Sequence, residues 1–280
     1  MLSISSVPAP DTIREYTVET SRIVQNVREI GEGPLAIFLH GITAVGAVWD
    51  PVLMRVKGSL RAIAVDQRGH GYSGKPGVGY SADDFSQDLI ALIESLNCGP
   101  AIVVGHSLGA RNAVVAAVSR PDLVRAVVAV DFTPYIETEV FEALESRVNG
   151  GDRPFASVTD IEAYLQNRYV NLPADAVRRR AAHGYRKNGD HFRPLADPGA
   201  MEATAKGLRE ELVTAFTAVK TPVLLVRGAD SKLVSPAAWQ RTKQLRLDMS
   251  AIEVANTDHY VPEEAPAAIA VAVLNFAKTT

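Results

Sequence analysis

The first strands of the chain show an alternation of apolar and polar positions. From Tyr16 this alternation has a period of two, and a second run of the same type covers 22–30 and ends at the turn residues of 31–34. A period of two is typical of strands with one face in water. We therefore expect the chain to begin with an antiparallel pair.

The strands that follow have a different character, because they are short, continuous runs of valine, isoleucine, leucine and alanine. These runs cover 35–39, 62–65, 101–104, 126–130 and 223–226, and a last strand is expected at 251–254. Such runs are typical of parallel strands that are covered on both faces. Helical patterns lie between them, notably at 81–96 and 108–119. This order predicts an α/β fold with a doubly wound, mostly parallel sheet.

The alternation of strands and helices breaks between about Thr133 and Val219. Helix-like segments cover 137–148, 160–169, 174–185 and 201–219, and no strand run is visible among them. An insertion of this kind is typical of a lid over the carboxyl ends of the strands. We therefore predict a helical cap at residues 135–199, inserted after the strand that follows the helix at 108–119. The core is then formed by 1–134 and 200–280.

Composition excludes several classes of protein. The chain has 280 residues, of which 47% are hydrophobic and 22% charged, as in ordinary globular proteins with a large core. It carries 29 basic and 32 acidic residues, a net charge of −3. A charge so near zero gives no reason to expect nucleic acid or an anionic membrane as a partner. It does not determine the oligomeric state, so a homo-oligomer stays open.

Cysteine content and the ends of the chain favour a cytoplasmic protein. Cys98 is the only cysteine, which excludes an internal disulfide, and we expect it to be a buried apolar residue. Residues 1–10 have neither the basic region nor the apolar core of a signal peptide. The longest uncharged apolar stretches, such as 265–277, are shorter than a bilayer span, so no transmembrane helix is predicted.

The strongest chemical signal is Gly105-His106-Ser107-Leu108-Gly109, which follows the strand at 101–104 and precedes a helix. Small residues are needed on both sides of the serine because the strand has to reverse into the helix within a few residues. The Ser107 hydroxyl then stands exposed at the amino terminus of the helix, where a nucleophile is useful. The alternative is a glycine-rich packing turn.

The chain resembles the α/β-hydrolase fold family over nearly its whole length, because four further stretches match motifs of that family. These are His40-Gly41-Ile42, the turn at 66–74, the late strand motif at 221–228, and Asp258-His259 before the final helix. The resemblance implies acyl transfer through Ser107, with His259 as the general base. It also implies an oxyanion hole formed by the amides of Ile42 and Leu108. It implies neither a cofactor nor a metal ion.

The carboxylate that orients His259 has two candidates. Members of the family most often carry it as Gly-x-x-Asp after the late strand, but here Gly228 is followed by Asp230 one residue early and by Ser231 in the usual place. Another arrangement in the family puts the acid after the strand that follows the nucleophile helix, where this chain has Asp131. We favour Asp131, and Asp230 stays the alternative.

The cap carries a local excess of positive charge. Between Arg147 and Arg193 there are nine basic and five acidic residues, a net charge of +4. Because a guanidinium group binds a carboxylate through two hydrogen bonds, this excess indicates a small carboxylated substrate. A solvated helix face is the alternative for any single arginine, and the consecutive arginines 178–180 cannot all face one pocket.

A closer resemblance within the family narrows the substrate. The segments 131–139, 145–149 and 231–235 resemble the branch that hydrolyses (E)-2-(acetamidomethylene)succinate in bacterial degradation of vitamin B6. This resemblance implies cleavage of a dicarboxylated enamide to acetate, succinate semialdehyde, ammonia and carbon dioxide. It assigns Arg147, Arg168 and Tyr169 to carboxylate binding. A general carboxylesterase, thioesterase or lactonase, and a non-catalytic small-molecule receptor, are the alternatives.

Overall fold

Strands and helices alternate along most of the chain in this computed structural model, which describes residues 11–149 and 151–280. The described residues form ten strands: β1 (Arg14–Glu19), β2 (Val24–Ile30), β3 (Leu35–Leu39), β4 (Arg61–Val65), β5 (Ala101–His106), β6 (Val124–Val130), β7 (Tyr185–Asn188), β8 (His191–Pro194), β9 (Val223–Gly228) and β10 (Ser250–Val254). They also form eleven helices: α1 (Asp50–Val56), α2 (Ala82–Leu96), α3 (Leu108–Ser119), α4 (Thr138–Asn149), α5 (Val158–Arg168), α6 (Ala174–Gly184), α7 (Pro198–Gly207), α8 (Val213–Ala218), α9 (Pro236–Leu245), α10 (Val261–Glu264) and α11 (Pro266–Ala277). Residues 1–10, where the sequence predicts no signal peptide, lie outside the described residues.

Eight strands form one central sheet in the order β1-β2-β4-β3-β5-β6-β9-β10. Strand β2 pairs antiparallel with both β1 and β4. The remaining neighbours in this sheet, in the order β4-β3-β5-β6-β9-β10, are all parallel. The predicted antiparallel start and the doubly wound, mostly parallel sheet are both confirmed. The helices of the core cover both faces of this sheet.

The continuous apolar runs of the central strands follow from this double cover. In β3, Ile37 belongs to the apolar layer that contains Leu92 of α2, whereas the next residue, Phe38, belongs to the layer that contains Trp49 and α11. All five residues of β3 are buried. Because neighbouring side chains point to opposite faces and both faces are dry, no polar position is left to produce an alternation.

The part of the chain between β6 and β9 departs from the prediction in two ways. The expectation that no strand interrupts the helices is wrong, because β7 and β8 form an antiparallel hairpin with a turn at Gly189, where φ is +61°. Each strand has only four residues, and only Tyr185 and Phe192 carry large apolar side chains, so the sequence shows no run of alternating positions. The single helix expected at 201–219 is two helices, since α7 ends at Gly207 and α8 begins at Val213.

An apolar cluster joins the predicted cap, residues 135–199, to the rest of the protein. Phe141 of α4 packs with Met201 of α7 and with Tyr80 and Phe85 from the core. The boundaries of the cap stay a prediction. The cluster contains residues from the start of the predicted cap and residues just after its end.

The carboxyl ends of the parallel strands all meet at one edge of the sheet. The segment 40–43 follows β3, Ser107 follows β5, and Asp131 follows β6. His259 lies after β10, in the loop that leads into α10. The crevice outside the carboxyl ends is where open α/β sheets bind their ligands, and the chain places its candidate residues there.

Two further observations concern the surface. The expectation of a buried Cys98 is wrong, because the thiol is exposed just after α2 and lies 2.6 Å from Arg61 Nη1. Within residues 11–149 and 151–280, no helix is both long enough and apolar enough to cross a membrane.

Candidate active site

Ser107 occupies a strained turn between β5 and α3. Its φ of +52° and ψ of −113° lie in a region that side-chain-bearing residues rarely adopt. A Cβ atom on Gly105 would lie 2.3 Å from the carbonyl oxygen of Gly109, and a Cβ atom on Gly109 would lie 2.3 Å from the carbonyl oxygen of Leu39. Only glycine fits at either position, which explains the spacing of the motif around the serine.

His259 is held from its Nδ1 side by a carboxylate. Nδ1 donates a hydrogen bond to Asp131 Oδ2 across 2.7 Å, and both side chains are buried. This leaves Nε2 for a proton from Ser107, which lines the same small cavity. Among the described residues no hydrogen bond yet joins the serine hydroxyl to the imidazole. In substrate-free enzymes this contact is often long and shortens when substrate binds.

The structure brings Asp131, and not Asp230, to the imidazole. Asp131 is 2% exposed; Oδ1 accepts a hydrogen bond from the Gly228 amide at 3.0 Å, and Oδ2 accepts one from Ser231 Oγ at 2.6 Å. Asp230 is exposed at the start of the turn after β9. Ser231 therefore occupies the position where the family usually has its acid. Its hydroxyl contacts Asp131, which follows β6. No motif in the sequence marks this supporting role of Ser231.

The amides of Ile42 and Leu108 are available to an oxyanion. Within the described part of the chain, neither amide donates a hydrogen bond to a protein acceptor. Leu108 is the first residue of α3, where the helix leaves its amides unpaired and its dipole is positive. The loop that carries Ile42 is fixed by His70, whose Nε2 accepts a hydrogen bond from the Thr43 amide at 3.1 Å.

Burial keeps three histidines around the site neutral. It lowers the pKa of His40 to about 4 and that of His70 to about 3, and it holds the pKa of His106 well below the usual range. A neutral ring can accept at one nitrogen and donate at the other, as His40 does between the Gln67 amide and the Gly41 carbonyl. The ring of His106 donates from Nε2 to the carbonyl oxygen of His259 at 2.8 Å. These rings therefore stabilise the loops around Ser107 through hydrogen bonds.

A cluster of cations and phenols, most of them from the predicted cap, lies beside Ser107. Its members line the small cavity that also contains the serine: Arg147, Arg168, Tyr169, Arg180 and Tyr260. Arg168 donates to the hydroxyl of Tyr164 at 2.9 Å, to the hydroxyl of Tyr169 at 3.2 Å and to the carbonyl oxygen of Arg147 at 2.6 Å. Among the described residues, no carboxylate lies within ion-pair distance of Arg147 or Arg168. Both charges are therefore available to an anionic ligand.

Arg180 is a member of this cluster that the sequence analysis did not single out. It is 7% exposed and pairs with Glu263 through Nε, at 2.9 Å from Oε1. Its guanidinium carbon lies 4.6 Å from the ring centre of Tyr169 and 5.0 Å from that of Tyr260. Of the three consecutive arginines, Arg180 lines the cavity that contains Ser107, and Arg178 and Arg179 do not. Which of the three arginines faces the cavity depends on how α6 packs, and the spacing of residues in the sequence does not predict that packing.

The surroundings of Tyr169 change the acidity of its hydroxyl. Burial raises its pKa, but the nearby guanidinium groups of Arg180 and Arg168 outweigh burial and leave the pKa below the usual value. For Tyr260, burial dominates and the pKa is raised. The hydroxyl oxygen of Tyr169 accepts a hydrogen bond from Arg168, and a phenol that accepts in this way can donate its own proton to a ligand.

Two larger chambers adjoin the small cavity at Ser107. A chamber of about 550 Å³ lies under the cap and a second of about 430 Å³ lies between the cap and the loop that carries His259. Arg168 and Tyr169 line both chambers and the cavity of the serine, and are therefore shared by all three.

Other candidate groups do not converge on the serine. His183 is half-buried and His191 is exposed on the cap, and neither lines the cavity that contains Ser107. Among residues 11–149 and 151–280, no group of three or more histidine, cysteine, aspartate or glutamate side chains is arranged to hold a metal ion.

Comparison with known proteins adds an independent line of evidence. The model of the alpha/beta hydrolase family matches residues 36–272. The chain is 52% identical over 268 residues to the 2-(acetamidomethylene)succinate hydrolase of Mesorhizobium japonicum, with 96% of each chain covered. A crystal structure of E-2-(acetamidomethylene)succinate hydrolase superposes with a TM-score of 0.93 at 52% identity, covering 95% of this chain and 99% of that one. An esterase of Mycobacterium tuberculosis is 31% identical over 73% of this chain and 69% of its own.

Proposed function

The chain belongs to the alpha/beta hydrolase family, and on that premise we propose that it hydrolyses a small dicarboxylated enamide, (E)-2-(acetamidomethylene)succinate. The products are acetate, succinate semialdehyde, ammonia and carbon dioxide. The observation that carries this proposal is the pair Arg147 and Arg168, which lie beside Ser107 without carboxylate partners among the described residues. The relative that is 52% identical bears the name of this activity.

Substrate binding is the first step. The two carboxylates of the substrate pair with the guanidinium groups of Arg147 and Arg168, and Tyr169 donates its free hydroxyl proton to one of them. These contacts orient the acetamide group towards Ser107, which converts the attack into an intramolecular step.

Acylation follows at Ser107. Its oxygen attacks the acetamide carbonyl carbon while His259 Nε2 takes the hydroxyl proton, and Asp131 stabilises the imidazolium that forms. The carbonyl oxygen becomes an oxyanion and accepts hydrogen bonds from the amides of Ile42 and Leu108. Donors that are already in place lower the barrier by about 3 kcal/mol each.

Release of the two products completes the reaction. His259 gives its proton to the substrate nitrogen, the carbon–nitrogen bond breaks, and the enamine leaves. A water molecule, deprotonated by His259, then cleaves the acetyl ester of Ser107 and acetate leaves. The free enamine takes up a second water, loses ammonia to give an aldehyde, and loses carbon dioxide from the carboxylate beside it. These last steps need no protein group.

A general esterase that acts on neutral acyl esters is the second candidate. It is favoured by the likeness to the mycobacterial esterase, and it would use the same serine, histidine and aspartate. Arg147 and Arg168 would not contribute to this activity, because their charges neither attract nor repel a neutral ester.

We infer that the reaction takes place in the cytoplasm. Assembly into a homo-oligomer stays a prediction that analytical ultracentrifugation can test.

A substrate panel tests the proposal. Purified protein is offered the enamide, p-nitrophenyl acetate, p-nitrophenyl butyrate and a short lactone, and acetate and ammonia are assayed enzymatically. We expect one acetate and one ammonia per enamide consumed, at a kcat/KM at least about 100-fold above that of either ester. A higher kcat/KM for the esters would support the second candidate.

A further inference from the structure

Arg111 is a buried cation that the catalytic steps above do not use. It lies on α3, one turn of helix after Ser107, and is 3% exposed. Its Nη2 donates to the carbonyl oxygen of Glu210 at 2.6 Å, whereas its Nη1 is buried and has no hydrogen-bond partner. No carboxylate among the described residues lies within ion-pair distance of its guanidinium group.

This environment is costly for a guanidinium group. Burial lowers the pKa of Arg111 to about 10, with the Glu210 charge acting in the opposite direction, so the side chain is still charged at neutral pH. A buried charge without a counter-charge, and a buried donor without an acceptor, both destabilise the folded state. Such a group is expected where a negatively charged ligand completes it.

A small cavity lies between Arg111 and the catalytic residues. Its lining includes Arg111, Ser107 and His259, and its volume is about 40 Å³. One water needs roughly 10 to 15 Å³ on this measure, so the cavity has room for about three water-sized groups. That is the size of acetate, and it is too small for a four-carbon dicarboxylate.

Apart from the hydroxyl of Ser107 and Nε2 of His259, which take part in catalysis, the other polar groups of this cavity have partners among the described residues. Asp131 also lines it and is negatively charged, but its Oδ1 accepts from the Gly228 amide and its Oδ2 accepts from Ser231 and His259. The hydroxyl of Thr133 donates to the carbonyl oxygen of Tyr135. Besides the catalytic residues, Arg111 is therefore the charged group of this cavity that lacks a counter-charge, and apolar side chains such as Leu208 supply the rest of the wall.

The cavity is also separate from the cations of the cap. Arg147, Arg168 and Arg180 line the other cavity at Ser107, on the side of the loop that carries Ile42, and none of them lines this one. In a tetrahedral intermediate the acyl group and the leaving nitrogen point in different directions from the serine. If the dicarboxylate half lies with the cap arginines, the acetyl half lies on the side of Arg111.

We propose that the cavity between Arg111 and Ser107 is a binding site for a small monocarboxylate, and that its ligand is the acetate formed on Ser107. The methyl group of acetate packs against the apolar wall, and the carboxylate pairs with the positive charge of the Arg111 guanidinium group. Acetate in this site blocks the acyl position and inhibits the next turnover. The origin of the acetate rests on the proposed function, whereas its binding can be measured without any substrate.

Thermal unfolding of the full chain with sodium acetate tests this site, with sodium gluconate at equal ionic strength as the reference. We expect a saturable rise in Tm for the wild type with acetate. Arg111→Met should weaken acetate binding by about ten- to a hundredfold, the effect of losing a charged hydrogen-bond donor. Arg168→Met should leave the effect of acetate unchanged but abolish that of succinate, which is expected at the cap. Arg120→Met, an exposed arginine just after α3, is the control for the substitution itself.

Four results would overturn the proposal. They are a wild type that acetate does not stabilise beyond gluconate, loss of the acetate effect in Arg168→Met, an unchanged effect in Arg111→Met, and mutually exclusive binding of acetate and succinate. Should Arg111→Met fail to fold, Arg111→Lys keeps the charge and is expected to bind acetate more weakly than the wild type. In the wild type, saturating acetate and succinate should raise Tm additively, and mutually exclusive binding would contradict separate sites. None of these results depends on whether the enamide is the substrate.

Discussion

His259 Nδ1 donates a hydrogen bond to Asp131 Oδ2 across 2.7 Å, although 128 positions separate the two residues in the chain. The strands that precede them, β6 and β10, are not neighbours, because β9 lies between them in the sheet. Gly228, the last residue of β9, donates its amide to the other oxygen of Asp131. The sheet order therefore brings base and acid together over the end of β9, and β9 itself holds the acid.

The first prediction concerns this pair. Asp131→Asn should lower kcat by about 10⁴-fold, because an amide stabilises the wrong tautomer of the imidazole and leaves the imidazolium without a counter-charge. Asp230→Asn should change kcat less than twofold, since Asp230 is exposed in the turn after β9. Steady-state kinetics of the two variants measure kcat and show which aspartate is the acid. Equal losses, or full activity of Asp131→Asn, would contradict the assignment of the acid.

The second prediction concerns the nucleophile. Ser107→Ala should lower kcat by at least about 10⁴-fold with both amide and ester substrates, because no acyl enzyme can form. The wild type should react covalently with an organophosphonate and gain its mass, whereas the variant should not. Labelling of the variant at another residue would show that the nucleophile lies elsewhere.

The buried pair of Arg180 and Glu263 links α6 of the cap to α10 of the core. Glu263→Gln removes one charge and leaves Arg180 buried without a counter-charge, so we expect the free energy of unfolding to fall by about 3 kcal/mol. Glu202→Gln removes a carboxylate of an exposed pair with Lys206 and should leave Tm unchanged. Chemical denaturation of both variants measures the difference, and equal stability of the two would contradict the buried role.

Acid should destabilise the protein through its buried histidines. Unfolded histidine takes up a proton below about pH 6.5, whereas burial lowers the pKa of His40 in the fold to about 4 and that of His70 to about 3. The unfolded state therefore binds more protons, and stability falls as the pH drops from about 6.5 to 4, by about 1.4 kcal/mol per pH unit for each ring. Urea unfolding across this window should show a shallower slope for His70→Gln than for His191→Gln, whose histidine is exposed. Equal slopes would contradict the neutral state of His70.

Local patterns predicted the parts of the site that depend on local geometry. The glycines at 105 and 109 are required by contacts within a few residues of Ser107 or with the adjacent strand β3, so the motif alone identified the nucleophile. The order of strands and helices was visible because the central strands are dry on both faces. The assignment of Asp131 required the family resemblance, since two carboxylates followed suitable strands.

Features that depend on tertiary packing could not be predicted in this way. The strands of the hairpin, β7 and β8, have four residues each, which is too few to show an apolar period. Arg111 and Arg180 are arginines, which are usually exposed, and only the packing of α3 and α6 buries them. Cys98 was expected inside because its residue type is usually buried, yet it lies in the exposed turn after α2.

The central claim is that the cap arginines select a dicarboxylate for the serine. It is tested most directly by kcat/KM for acetate release from (E)-2-(acetamidomethylene)succinate and for p-nitrophenyl acetate hydrolysis, in the wild type and in Arg168→Ala. We predict a loss of at least about 100-fold for the dicarboxylate and less than threefold for the ester, because a charged hydrogen-bonding partner is lost only for the former. Equal effects on both substrates, or an unchanged preference for the dicarboxylate, would contradict the claim.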